Sequence, residues 1–170
     1  MPAVEEISES LIRENITRAV ADVFKTMLGR PIAPGAPEPG EVRDAPGTSA
    51  AQVVGTVGFI GEVNGLVYLY LDESFANQCT GEILGMSALA LEAAGDEVVN
   101  DAIGELTNMV VGSFKNALCD AGYPCKLTIP SILRGRNFCI QSTRMAERRS
   151  YRFTCGGHRV VTDIIIKAGD

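Results

Sequence analysis

Apolar positions along the chain change period several times, and each change predicts an element. Ile7, Leu11, Val20, Val23, Phe24, Met27 and Leu28 recur at helical spacing and predict a helix over 5–28. Glu5, Glu6 and Glu9 stand near the positive end of its dipole, and Gly29 can stop it. From residue 53 the period falls to two. Val53 to Ile60 and Leu66 to Leu71 read as strands, with Val53, Val57, Phe59, Val67, Leu69 and Leu71 facing inward and Asn64-Gly65 as the hairpin turn. Gly55, Gly58 and Gly61 either let a helix pack closely on the first strand or mark a bulge. Asp72 can cap a helix running through Phe75, Cys79 and Ile83 to Gly85, and a short apolar segment, Ala88 to Ala94, ends at Gly95. Asp96 then caps a long helix from about Glu97 to Asp120, with Gly122 and Pro124 as stop signals. Strands are expected at 125–129, 137–143, 150–155 and 159–167, with Pro130 and Gly135 breaking the first pair and Gly156-Gly157 turning the last.

The order helix, hairpin, helices, strands lacks the regular βαβ alternation of a doubly wound fold. It predicts an α/β (α+β) sandwich, a mostly antiparallel sheet covered by helices, in a single domain over 1–170. Residues 29–51 hold five of the eight prolines among Gly, Ala and Ser, and read as a Pro/Gly-rich loop.

The long helix carries the candidate chemistry. At about 100° per residue, Val99, Ala102, Ile103, Leu106, Val110, Ser113 and Ala117 fall on one side, with Met109 at the margin. Asp101, Glu105, Asn108, Gly112 and Lys115 fall opposite. Glu105 and Asn108 project as neighbours, and Gly112 lies one turn on. A mid-helix glycine costs about 1 kcal/mol relative to alanine, so an exposed one suggests a partner's close approach. Asn offers an acceptor and a donor that can orient a water without taking its proton, and an ionised Glu can pair with a partner's lysine or arginine. Spacing alone does not single this pair out. Glu97 and Asn100 form a second E-x-x-N, readable as a first-turn acid and a solvated amide, and the whole face can be read as ordinary wet surface.

Charge and cysteine usage narrow the classes. A formal charge of -6 argues against nucleic acid or an anionic membrane as main partner, although Arg144, Arg148 and Arg149 could form a local basic patch. Five cysteines, Cys79, Cys119, Cys125, Cys139 and Cys155, show no C-x-x-C spacing and read as free thiols packed as small core residues. There is no pattern for a signal peptide or a membrane span, so the expected location is cytoplasmic. His158, the single histidine, is expected at a solvated hairpin turn rather than in a metal or catalytic site.

Asp101-Ala102-Ile103-Gly104-Glu105-Leu106-Thr107-Asn108-Met109-Val110-Val111-Gly112 resembles the D-x-x-G-E-[apolar]-x-N-[apolar]-x-x-G signature of the CheX/CheC group of chemotaxis phosphatases, and CheX most closely. Val57 to Gly61, Gly65 to Val67, the helix around Ala76 to Gly85, and Leu127 to Gly135 are similar to the segments that flank it in that family. The resemblance implies the CheC-like/CheX-like fold and removal of the phosphoryl group from the aspartate of a phosphorylated CheY-type response regulator. Asn108 would orient the attacking water and Glu105 would pair with the regulator's lysine. Asp101, Gly104, Gly112 and Lys115 would line the partner-binding face. The regulator would supply the Mg2+, leaving this chain with no cofactor of its own, and a homodimer is expected. One fitting motif, rather than the two of the CheC branch, favours CheX. The alternative is a non-catalytic module that binds response regulators, like the flagellar switch proteins.

Overall fold

The computed structural model describes residues 7–35, 50–138, 140, 141, 143 and 146–169. The first helix, α1 (Glu9–Leu28), starts later than its periodicity suggested, because Ser8 is its cap: the Ser8 hydroxyl accepts from the Leu11 N–H at 3.1 Å. Glu5 and Glu6 lie outside the described residues, as does 36–49 of the Pro/Gly-rich loop. The described start of that loop contains a two-residue strand, β1 (Ala33–Pro34). Its proline is tolerated because β1 lies at the edge of the sheet.

The hairpin is β2 (Gln52–Gly61) and β3 (Val63–Asp72), paired from Gln52 opposite Asp72 to Phe59 opposite Gly65. Its six predicted inward residues all lie in the main core. The turn, however, is at Gly61–Val63 and not at Asn64-Gly65. Asn64 closes it with its side chain, Oδ1 accepting from the Gly61 N–H at 3.0 Å. Gly65 is inside the strand because the Phe59 ring needs the space, and a Cβ there would stand 2.3 Å from Phe59 Cζ.

Helices α2 (Glu73–Leu84) and α3 (Ala88–Ala94) match expectation. The long helix is α4 (Asp96–Asp120), with Gly95 rather than Asp96 in the cap position and Asp96 in the first turn. The second half of the sheet comprises β4 (Cys125–Leu127), β5 (Ser131–Gly135), β6 (Glu147–Cys155) and β7 (His158–Ala168). The expected strand at 137–143 is replaced by β5, whose described successors lie outside strands. Gly156 and Gly157 turn β6 into β7 at φ +55° and +81°, as their adjacency predicted.

All described strand pairs are antiparallel, in the order β1-β6-β7-β3-β2-β4, and β5 also pairs with β2. Helices α1 and α4 cover one face of this sheet. Their core joins Ile12, Ile16 and Phe24 of α1 to Ile103, Leu106 and Phe114 of α4, and the Phe114 ring meets the Phe59 ring edge-on at 6.2 Å. On the far face Phe138 and Ile140 pack over Val54, Tyr70 and Val161. Asp163, only 1% exposed, is held there by Arg148 at 2.7 Å and by the Ser150 hydroxyl at 2.9 Å.

Candidate functional site

The position of α4 is set by one close approach. Thr107 is buried, donates its hydroxyl to the Ile103 carbonyl at 2.7 Å, and sits over Gly55 of β2. A Cβ at Gly55 would lie 1.9 Å from Thr107 Oγ1, so the glycine is what lets the helix reach the sheet.

The buried stripe of α4 is Val99, Ile103, Gly104, Leu106, Thr107, Val110, Val111, Phe114 and Leu118. This stripe is wider than the sequence wheel suggested and rotated from it, because α4 meets both the sheet and α1. Ser113, expected in the core, is exposed, and Thr107, Val111 and Phe114 take its place. Asp101 and Glu105 are exposed, while Asn108, Gly112 and Lys115 are half-buried. Gly104 is buried, with Pro130 Cβ 3.9 Å from where its own Cβ would stand. Gly112 is not the open patch expected of it. Leu127 Cδ1 stands 3.7 Å from the position of a Cβ at Gly112, an ordinary contact distance that an alanine would satisfy.

The segment from β4 to β5 therefore forms a wall beside α4. Leu127 meets Gly112, Pro130 meets Gly104, and Arg134 reaches Asn100 and Asp96, so chain and helix run in opposite directions. Asn108 lies on the helix between the first two contacts. The residue is half-buried, and among the described residues neither it nor Glu105 has a hydrogen-bond or ion-pair partner in the protein.

The second E-x-x-N differs. Arg134 Nε donates to Asn100 Oδ1 at 2.6 Å, and the same guanidinium stands 4.0 Å from Glu73 and 3.8 Å from Asp96. Asn100 thus braces β5 against the helix start. No sequence signal linked Arg134 to this helix, since the pairing depends on β5, which periodicity did not reveal.

Other candidates are occupied elsewhere. Of the basic patch, Arg148 is bound to Asp163 and to the Ile140 carbonyl, and Arg149 pairs with Glu147 at 3.0 Å; Arg144 lies outside the described residues. His158 is not a solvated turn residue but stacks on Phe75, the rings 4.3 Å apart and 8° from parallel. Cys79, Cys125 and Cys155 are buried, Cys119 is half-buried, and these four are free thiols; Cys139 lies outside the described residues. Burial pushes the Cys79 thiol up to about 12 and Cys125 up to about 11, leaving neither as a ready nucleophile near neutral pH. Among the described residues no three His, Cys, Asp or Glu side chains are grouped to hold a metal ion, and no helix is long and apolar enough to cross a membrane.

The model of one family, described as chemotaxis phosphatase CheX, matches residues 53–154. No curated protein matches the chain. Among solved structures, a CheC-like superfamily protein from Shewanella sp. PV-4 is 24% identical with a TM-score of 0.77, covering 95% of this chain and 100% of its own. A chemotaxis protein CheX from Desulfovibrio desulfuricans is 22% identical with a TM-score of 0.75, over 92% and 99%. A chain of the CheX–CheY–BeF3–Mg2+ complex from Borrelia burgdorferi is 22% identical with a TM-score of 0.71, over 92% and 97%. At these identities the likeness is one of fold.

Proposed function

The chain belongs to the CheX family of chemotaxis phosphatases, and from that membership we propose that it hydrolyses the aspartyl phosphate of a CheY-type response regulator. The observation that carries the reading is the contrast between the two E-x-x-N pairs. Asn100 is consumed by Arg134, while half-buried Asn108 keeps an amide unpartnered among the described residues, three residues from the exposed Glu105.

Each group then has a chemical task. The amide of Asn108 accepts from a water and donates toward the phosphoryl oxygens, holding the water in line with the scissile P–O bond. It takes no proton, and the rate gain comes from positioning. The carboxylate of Glu105 pairs with a lysine on the receiver and fixes the register in which Asn108 enters. Asp101 and Lys115 add charge to the same face. The electrophile and its magnesium are the receiver's, so the chemistry asks for no metal of this chain. A homodimer belongs to the same proposal.

Phosphate release from a panel of phosphorylated receiver domains, each with Mg2+, tests the reading. At least one receiver is expected to lose its phosphoryl group faster than it does alone. No acceleration with any receiver of a complete panel would overturn it. A receiver that binds without faster release would favour the non-catalytic module.

A further inference from the structure

The wall beside Asn108 contains an irregularity of register. Phe59 of β2 pairs with Leu127 and Thr56 pairs with Ser131. Between these pairs Val57 and Gly58 stand against Thr128, Ile129 and Pro130, one residue more in the connection from β4 to β5. This is a β-bulge, a device that turns a side chain out of the plane of the sheet. The bulge is held from behind. Thr128 donates its N–H to the Gly58 carbonyl at 2.8 Å, and its hydroxyl accepts from the Gly58 N–H at 2.8 Å. On its other side Pro130 packs at Gly104. Ile129, between these two anchors, is 85% exposed, the most exposed large apolar residue in the described core and surface.

Its place along α4 gives this exposure a meaning. Leu127 meets α4 at Gly112 and Pro130 meets it at Gly104, so residue 129 passes the turn of α4 that carries Asn108. A globular partner that covers Asn108 and the stretch of wall between these two contacts would meet Ile129. We propose that Ile129 is an apolar docking contact for the phosphorylated receiver domain, a positioning residue that sets affinity and receiver choice while Asn108 acts on the water. The proposal rests on the phosphatase reading above. A rigidly presented apolar side chain beside a polar pair is the arrangement in which one residue supplies much of the binding, because little ordering is lost on contact.

The test uses the full chain and the receiver it turns over fastest. Ile129→Ser is expected to raise KM about tenfold or more, from the loss of one buried isoleucine side chain, with kcat at saturation within about twofold and the melting temperature unchanged. Affinity for the same receiver loaded with Mg2+ and BeF3 should fall in parallel. Ile129→Leu should restore both, and Leu89→Ser, another exposed apolar position at 79%, should leave both alone. Unchanged KM and affinity for Ile129→Ser beside active wild type would overturn this proposal and leave the phosphatase reading standing, as would an equal effect from Leu89→Ser. Wild-type protein that neither binds nor dephosphorylates any receiver would overturn both.

Discussion

Two asparagines on one helix, eight residues apart, separate a structural role from a chemical one. Asn100 is fixed by Arg134, and half-buried Asn108 has no partner for its amide among the described residues. The sequence carried the Glu105 and Asn108 pair but could not tell it from Glu97 and Asn100 by spacing, since the difference depends on a strand that lies more than thirty residues away in the chain. Buried Asp163 illustrates the same limit. Nothing in the local pattern of β7 marks an acid at 1% exposure, because its partner, Arg148, comes from the neighbouring strand. Arg148→Ala should therefore lower unfolding free energy by about 3–5 kcal/mol, the usual consequence of leaving a buried charge unpaired. Urea denaturation measures this. A loss under 1 kcal/mol would mean that Ser150 alone satisfies the carboxylate.

At the level of elements, α1, α2 and α4 were legible from long apolar periods, and Gly29, Asp72, Gly85 and Gly95 marked helix ends, Gly95 closing the short α3; the start of α1 at Ser8 was not read. The hairpin was legible in its inward face but not in its turn. Asn64-Gly65 looks like a turn, yet tertiary contact with Phe59 places that glycine in a strand. Strand β5 was missed because Pro130 and Gly135 bracket it. Gly135 is instead the last residue of that strand, and Pro130 lies just before its start, in the connection to β4. The seat of α4 on β2 gives the sharpest element-level test. Gly55→Ala forces a methyl into Thr107 and should destabilise the fold by about 1–3 kcal/mol through overpacking. It should also slow phosphate release at temperatures where the protein remains folded, since α4 carries Asn108. Full stability and activity in that variant would show that the helix is not held by this contact.

For the whole molecule, half-buried Tyr151 and buried Cys79 both lose their protons late on the alkaline side. Burial raises Tyr151 from its ordinary 10.0 to about 12, and Cys79 from 9.0 to about 12. In the unfolded chain these groups lose their protons near their ordinary values, whereas in the folded chain they keep them. Above about pH 9 the unfolded state therefore binds fewer protons than the native state, and stability must fall as pH rises. Denaturation midpoints should be level from pH 7 to about 8.5 and decline from about pH 9 upward. A midpoint that held constant through pH 11 would contradict the shielding of these two groups from solvent. The long helix carries half-buried Asn108 and exposed Glu105, and the connection between β4 and β5 beside it carries exposed Ile129. The account of its function rests on the first of these. The most direct measurement is single-turnover loss of phosphate from a saturating phosphorylated receiver, with wild type, Asn108→Ala and Asn100→Ala side by side. Asn108→Ala is expected to lose about 100-fold or more of the acceleration, down to the receiver's own rate, while Asn100→Ala keeps most of it. Acceleration that survives Asn108→Ala, or that disappears only with Asn100→Ala, would contradict the assignment.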